Sequence, residues 1–421
     1  MLVDRCLARA QELDDFRERT GKIRGPLHGV PISFKSHIGI QGCHTPAAYV
    51  AWWDKLAPHD AALVDILERA GAIVHARTTE PQSMMQLECN SNLYGVTVNP
   101  HNTNLSSGGS SGGEAALIAM GGSALGVGSD VAGSIRVPAA ACGLFGLKPT
   151  SFRIPSKGWG STPPGADHIP SVLGPLCGSL DGIRMFMEVV LGAAPWTHEP
   201  ALVPLPWREE KINPTAARPL RIGIMQHDGL VQPHPPISRT IEEISVNLRG
   251  LENVELVDFP AYATDEALAI VFSLYFPDGG EADKKVLAET GEPVCPLVEF
   301  LFKDIPSIQK LSRKKLEMWL EEREEYRLEF AEHWNKTGAS VDEEGVWNGA
   351  IDALICPVMP GVANRHNTSK YFAYTALWNL LDYPALAFPA GTVDAAKDKK
   401  PRRSDFMSEH DRENWDLCKL P

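Results

Sequence analysis

The sequence predicts an α/β fold, a sheet covered by helices, and three observations carry that prediction. Residues 60–70, DAALVDILERA, repeat apolar positions at helical spacing, and GAIVHART at 71–78 follows as a buried strand bounded by Gly and Thr. This is the helix-then-strand alternation of a sheet with helical cover. Four later apolar runs also read as strands: LRIGIMQ (220–226), VELVDF (254–259), DALICP (352–357) and ALAFP (385–389). Finally, 421 residues with 43% hydrophobic and 22% charged side chains are enough for one large α/β domain with a sizeable core.

The remaining elements follow in order. Residues 1–20 have the pattern of an amphipathic helix, and GPLHGVPISFKS (25–36) is a turn entering a short apolar strand. EAALIAMGG (114–122) is a short helix closed by glycines. The turn-rich span 196–213 and PTAARPL (214–220) separate the two halves of the chain. Residues 298–336 read as one long charged helix, its Leu, Trp, Tyr and Phe positions facing the body. After Gly391 the pattern is lost, so a domain over 1–395 and a polar, irregular tail over 396–421 are expected.

Composition excludes several function classes. Forty basic against fifty-three acidic side chains leave a formal charge of −13, which disfavours a nucleic-acid or anionic-membrane surface. The basic cluster KDKKPRR (397–403) reads as solvated surface. No run reaches the roughly eighteen apolar residues of a membrane span, and MLVDRCLARAQELDDF lacks the layout of a signal peptide. The eight cysteines form no CxxC pair and read as free thiols, which points to the cytosol.

The run SSGGSSGGEAALIAMGGSALGVGSDVAGSIR (106–136) is the most informative stretch. A flexible linker would be monotonous, whereas this run carries an Ala/Leu/Ile/Met helix and continues into IRVPAAACGLFGLKPT. A phosphate cradle would need Lys-Ser/Thr at a fixed offset or a GxGxxG pattern, and neither is present. The third reading is acyl transfer. A serine among small residues in SDVAGSIR lets backbone approach a carbonyl, and successive N–H groups in such a turn form an anion-binding nest.

This stretch resembles the signature segment of the amidase signature family, with likeness to fungal acetamidase-type enzymes and fatty acid amide hydrolases. GPLHGVPISFK and QSMMQLECNSNLYGVTVNPHN resemble the segments before it, and DALICPVMP and YTALWNLLDYPALAFPAGTVD the C-terminal half. The likeness covers most of residues 1–400. It implies a mixed central β-sheet sandwiched between helical layers, and hydrolysis of a carboxylic amide to acid plus ammonia or amine without metal or organic cofactor. It also implies a Ser-Ser-Lys triad: Ser134 as nucleophile, Ser110 as the bridging serine beside a cis peptide, and Lys35 as base. The backbone N–H groups of Val131, Ala132, Gly133 and Ser134 would hold the oxyanion, and Asp130 and Arg136 would brace the turn. Ala132 stands where relatives have glycine, which requires its φ to stay negative. Met84 and Met85 would lie near the acyl pocket, with the Met84 carbonyl near Ser110, and residues 270–335 are either a lid or a plain surface helix.

The chemistry is coherent on its own terms. Lys35 follows the apolar GVPISF, and burial lowers a lysine's pKa from about 10.4 toward the range of a useful base. No GxSxG, HExxH or metal-ligand spacing occurs. His28, His37 and His168 read as local polar residues, with His37 near enough to rim a pocket, and Cys142 as packing.

The expected partners are a small amide and a second copy of the chain, with no nucleic acid. The alternatives are a non-catalytic relative or a glutamine amidotransferase subunit. Relative to the family, the chain is expected to be shortened at both ends, with less before Lys35 and a stop at NWDLCKLP.

Overall fold

The computed structural model describes residues 1–160, 167–209, 213–216, 218–338, 340, 341, 343 and 347–419. Its two main sheets use nine strands: β1 (Pro31–Lys35), β2 (Ile73–Thr78), β3 (Leu125–Asp130), β4 (Phe145–Lys148), β5 (Val172–Cys177), β6 (Leu220–Ile224), β7 (Val254–Asp258), β8 (Ala353–Ile355) and β9 (Ala385–Ala387). Six of them form a mixed sheet in the order β9-β4-β5-β3-β1-β2. Strand β1 is parallel to β2 and β3, while the pairs β3–β5, β5–β4 and β4–β9 are antiparallel.

The helices lie in two layers. Helices Ala62–Arg69 and Leu180–Gly192 cover one face over a core that includes Ile32, Phe34, Val127 and Phe186. Helices Gly112–Ala119 and Arg136–Cys142 cover the other, with Ala115, Ile135 and Ala139 packed beneath. Alternation along β1 therefore sends Ile32 and Phe34 into the first core and turns Ser33 and Lys35 the other way. That places Lys35 on the side of the glycine-serine run, where its amine meets Ser110.

The mixed central sheet is as expected, and β6, β7 and β8 form a second, separate parallel sheet in the order β7-β6-β8. The two sheets do not merge at β8 and β9. Those strands instead line a common cavity of about 590 Å³. Strand β9 is the edge of the larger sheet, and Leu386 beside Phe388 is partly exposed there.

The long helix expected over 298–336 is two helices, Pro296–Asp304 and Arg313–Asn335. Pro306 explains the break, because a residue before proline is pushed out of helical geometry, and Ile305 is extended at φ −97°, ψ 106°. Ser312 then caps the second helix by accepting from the Lys315 N–H at 3.3 Å. Tyr326 and Phe330 of that helix are buried against Phe259 and Tyr262, while most of its other residues are exposed or half-buried.

The tail is not irregular throughout. Helix Glu409–Leu417 is capped by Ser408, and its Asp411 and Trp415 are buried. Nor is the basic cluster simply solvated: Arg403 Nη2 donates to Asp411 Oδ2 at 2.6 Å, and Lys400 Nζ donates to the Trp415 carbonyl at 2.6 Å. Leu420 and Pro421 lie outside the described residues. Among the described residues no helix is long and apolar enough to cross a membrane, and all eight cysteines are unpaired.

Candidate active site

The structure brings the first-third residues together around Lys35. Its Nζ donates to Ser110 Oγ at 2.6 Å and to Ser129 Oγ at 3.0 Å, and its side chain is fully buried. Burial pushes the ammonium down to about 8, against the opposing charges of Glu80, Asp130 and Glu114. The peptide bond Gly109–Ser110 is cis. The glycine-serine run is tightly packed, since a β-carbon on Gly109 would lie 2.2 Å from the Glu88 carbonyl oxygen. Only glycine fits so close a backbone approach.

Ser134 sits in the turn between β3 and helix Arg136–Cys142, and Asp130 organises that turn. The Asp130 carboxylate accepts from the Gly133 N–H at 2.8 Å, the Ile135 N–H at 3.1 Å and Arg136 Nη2 at 2.9 Å. Burial alone would raise this carboxyl, but the Arg136 guanidinium and its hydrogen bonds outweigh that and hold it well below the usual range. The Gly133 amide, one of the four expected oxyanion donors, is already engaged by Asp130. Ala132 meets its requirement, because it is not among the residues with positive φ.

Helix Ala373–Leu380 clamps the turn from the far end of the chain. Arg136 Nη1 donates to the Thr375 carbonyl at 2.9 Å, and Arg136 Nη2 to Asn379 Oδ1 at 2.7 Å. Asn379 Nδ2 in turn donates to Asp130 Oδ1 at 3.1 Å, and Thr375 Oγ1 donates to the Ala132 carbonyl at 2.6 Å. Sequence reasoning missed both residues. Their one signal is a pair of polar side chains inside the apolar run YTALWNLL.

Ser110 and Ser134 open into one cavity of about 100 Å³, together with Met84, Met85, Ser129 and Val131. Ile169, Leu274, Tyr275 and Phe276 close its apolar side. Trp159 and Gly160 line this cavity and also a larger outer one of about 680 Å³. His37 reaches the same wall, its Nδ1 bonded to Glu80 Oε2 at 2.7 Å. Glu80 was not foreseen; it also accepts from Ser36 Oγ at 2.6 Å and thereby fixes the residues just after Lys35.

Glu114 was missed as well. It is buried in the first turn of its helix and accepts from Ser33 Oγ and Thr78 Oγ1, each at 2.6 Å. Burial pushes its carboxyl up to about 7 despite those bonds. Cys142 is packing, as expected: it lies in the core and burial raises its thiol to about 12. Among the described residues no cluster of three His, Cys, Asp or Glu could hold a metal ion.

The fold is thus a mixed sheet between helical layers, with a buried Lys-Ser contact beside a serine turn. The chain belongs to the amidase family, the amidase signature enzymes, whose pattern it matches over residues 1–407. It is 34% identical over 412 residues to the acetamidase of Emericella nidulans, covering 97% of this chain and 74% of the relative. Identity to the acetamidase of Aspergillus oryzae is 36% over 402 residues, covering 94% and 72%. Among solved structures, a fatty acid amide hydrolase superposes with a TM-score of 0.92 at 31% identity, covering all of this chain and 72% of that one. Family, relatives and fold together support amide hydrolysis.

Proposed function

We propose that this protein hydrolyses small carboxamides through an acyl-enzyme on Ser134, with Ser110 and Lys35 as its proton relay. One observation supports this above the others: the 2.6 Å contact between Lys35 Nζ and Ser110 Oγ, buried at the floor of a cavity that Ser134 shares. With its pKa lowered to about 8, a useful fraction of Lys35 is the neutral amine near neutral pH.

In the acylation step neutral Lys35 takes the Ser110 proton while Ser110 takes that of Ser134. The Ser134 oxygen adds to the amide carbon, and the carbonyl π electrons move onto oxygen. The N–H groups of Val131, Ala132 and Ser134 receive that charge. Collapse breaks the C–N bond, and the nitrogen leaves with a proton returned from Lys35 through Ser110. Water then adds to the acyl carbon by the same relay, and the acid departs as the Ser134 hydroxyl re-forms. No metal or organic cofactor enters the scheme.

Met84 and Met85 contribute the acyl wall, and the Met84 carbonyl sits beside Ser110 in this reading. The small volume of the cavity favours a short acyl group. We place the protein in the cytosol, in keeping with its unpaired cysteines. The test is labelling with a fluorophosphonate serine probe. Labelling of the unmodified protein and its loss in Ser134→Ala are expected; persistent labelling of that variant would sink the assignment.

A further inference from the structure

Among the polar side chains that line the cavity outside the relay, two stand out. His37 is 2% exposed and lines the cavity, and Glu80 claims its Nδ1 at 2.7 Å. A carboxylate at that distance accepts, so Nδ1 carries the proton and Nε2 is left as an acceptor. Burial lowers the imidazole's pKa further, which keeps it neutral. Glu80 also accepts from the His37 backbone N–H at 3.2 Å, so it holds both the ring and the backbone of this residue.

Ser83 is the second. It is 2% exposed, lines the same cavity, and its Oγ has no hydrogen-bond partner. A buried hydroxyl without a partner is costly, and such a group beside a cavity is placed for a ligand. Its φ of 63°, with Met84 following at 58°, sets this wall in the left-handed region where non-glycine residues are uncommon.

We propose that His37 and Ser83 form a leaving-group subsite that selects primary carboxamides, His37 Nε2 and Ser83 Oγ each accepting one N–H of the substrate's NH2. This rests on the amide-hydrolysis reading above and adds the identity of the nitrogen product, ammonia. Holding both N–H bonds fixes the orientation of the nitrogen as it pyramidalises, so that its lone pair is aimed for protonation. An N-substituted amide leaves one acceptor unpaired, and an ester leaves both. A site built to bond a substrate N–H rejects analogues that lack it. Both residues are positioning and specificity groups; neither is assigned a proton transfer.

The test compares butyramide, N-methylbutyramide and ethyl butyrate, which share one acyl group. The unmodified protein is expected to prefer butyramide over N-methylbutyramide by at least tenfold in kcat/KM. Ser83→Ala and His37→Leu should each lower the ratio of butyramide to ethyl butyrate turnover at least tenfold, and His37→Gln, which keeps an acceptor, should recover part of it. Because His37→Leu strands the buried Glu80, Ser83→Ala decides the matter alone if that variant does not fold. Equal losses on amide and ester, or an unchanged ratio in Ser83→Ala, would overturn the subsite. If the unmodified protein hydrolyses none of the three, the amide-hydrolysis reading fails. The subsite is then decided by NMR-detected binding. Tenfold tighter binding of butyramide than of N,N-dimethylbutyramide, lost in Ser83→Ala, supports it, and equal affinities refute it.

Discussion

A β-carbon on residue 133 would lie 2.3 Å from Thr375 Oγ1, so the turn that carries Ser134 and the helix near the C-terminal end of the chain leave room for hydrogen alone. Gly133 also has φ 117°, a conformation that L side chains rarely adopt. Gly133→Ala should therefore cost more than the 1–2 kcal/mol typical of left-handed backbone, and should abolish Ser134 labelling. Adding Thr375→Ala should recover part of the loss in thermal stability but not the backbone strain. Full recovery in the double variant would show that contact alone excludes a side chain here.

In the proposed relay Lys35 sets the pH dependence. There the neutral amine is the base, and with a pKa of about 8 its fraction rises as pH increases. The kcat/KM profile should thus climb from pH 6 and level off above the pKa. Lys35→Ala should lower turnover by at least a thousandfold, and Lys35→Arg should not rescue, because guanidinium does not give up its proton at working pH. A flat profile from pH 6 to 9 would remove Lys35 as the base.

The Asp130–Arg136 pair should govern stability in acid. A carboxyl depressed below its ordinary 3.8 contributes stability that is complete above that value and is lost as pH falls through the folded one. Asp130→Asn should cost about 3–5 kcal/mol at pH 7, as expected when one partner of a buried pair is removed. The loss should shrink below pH 3, as urea unfolding at several pH values would reveal.

Glu114 has the opposite sign. A carboxyl raised from 4.5 to about 7 contributes most below the unfolded value, and that contribution declines as pH rises through the folded one. Glu114→Gln should flatten the stability profile between pH 4.5 and 7.5, with one of Ser33 and Thr78 keeping an acceptor and the other accepting from the new amide N–H. An unchanged slope would mean that Glu114 is charged throughout.

How far the sequence could be read depended on how local each signal was. Strand β1, helix Ala62–Arg69 and strand β2 were legible because apolar periodicity marks them directly. Strand β3, LGVGSD, was not read as a strand although it is central, since two glycines hide the pattern. Those glycines answer to neighbours: a β-carbon on Gly126 would meet Glu114 Oε2 at 2.1 Å, and one on Gly128 would meet Ser111 Oγ at 2.6 Å. Lys35, Ser110 and Ser134 stand out through family likeness. Glu80, Glu114, Thr375 and Asn379 act through contacts formed only on folding, so no local pattern announces them. The break at Pro306 was legible in principle, because a proline inside a helical stretch argues for two helices.

Strand β9 has only three residues and stands between Pro384 and Pro389. Neither proline can donate a backbone N–H, so the rim of the sheet is blunted on both sides of a very short ladder. An incoming chain would find too few donors to pair with beyond Ala385–Ala387. The open side of this sheet is therefore poorly suited to templating strand-by-strand growth between molecules, despite the apolar Leu386 and Phe388 exposed there.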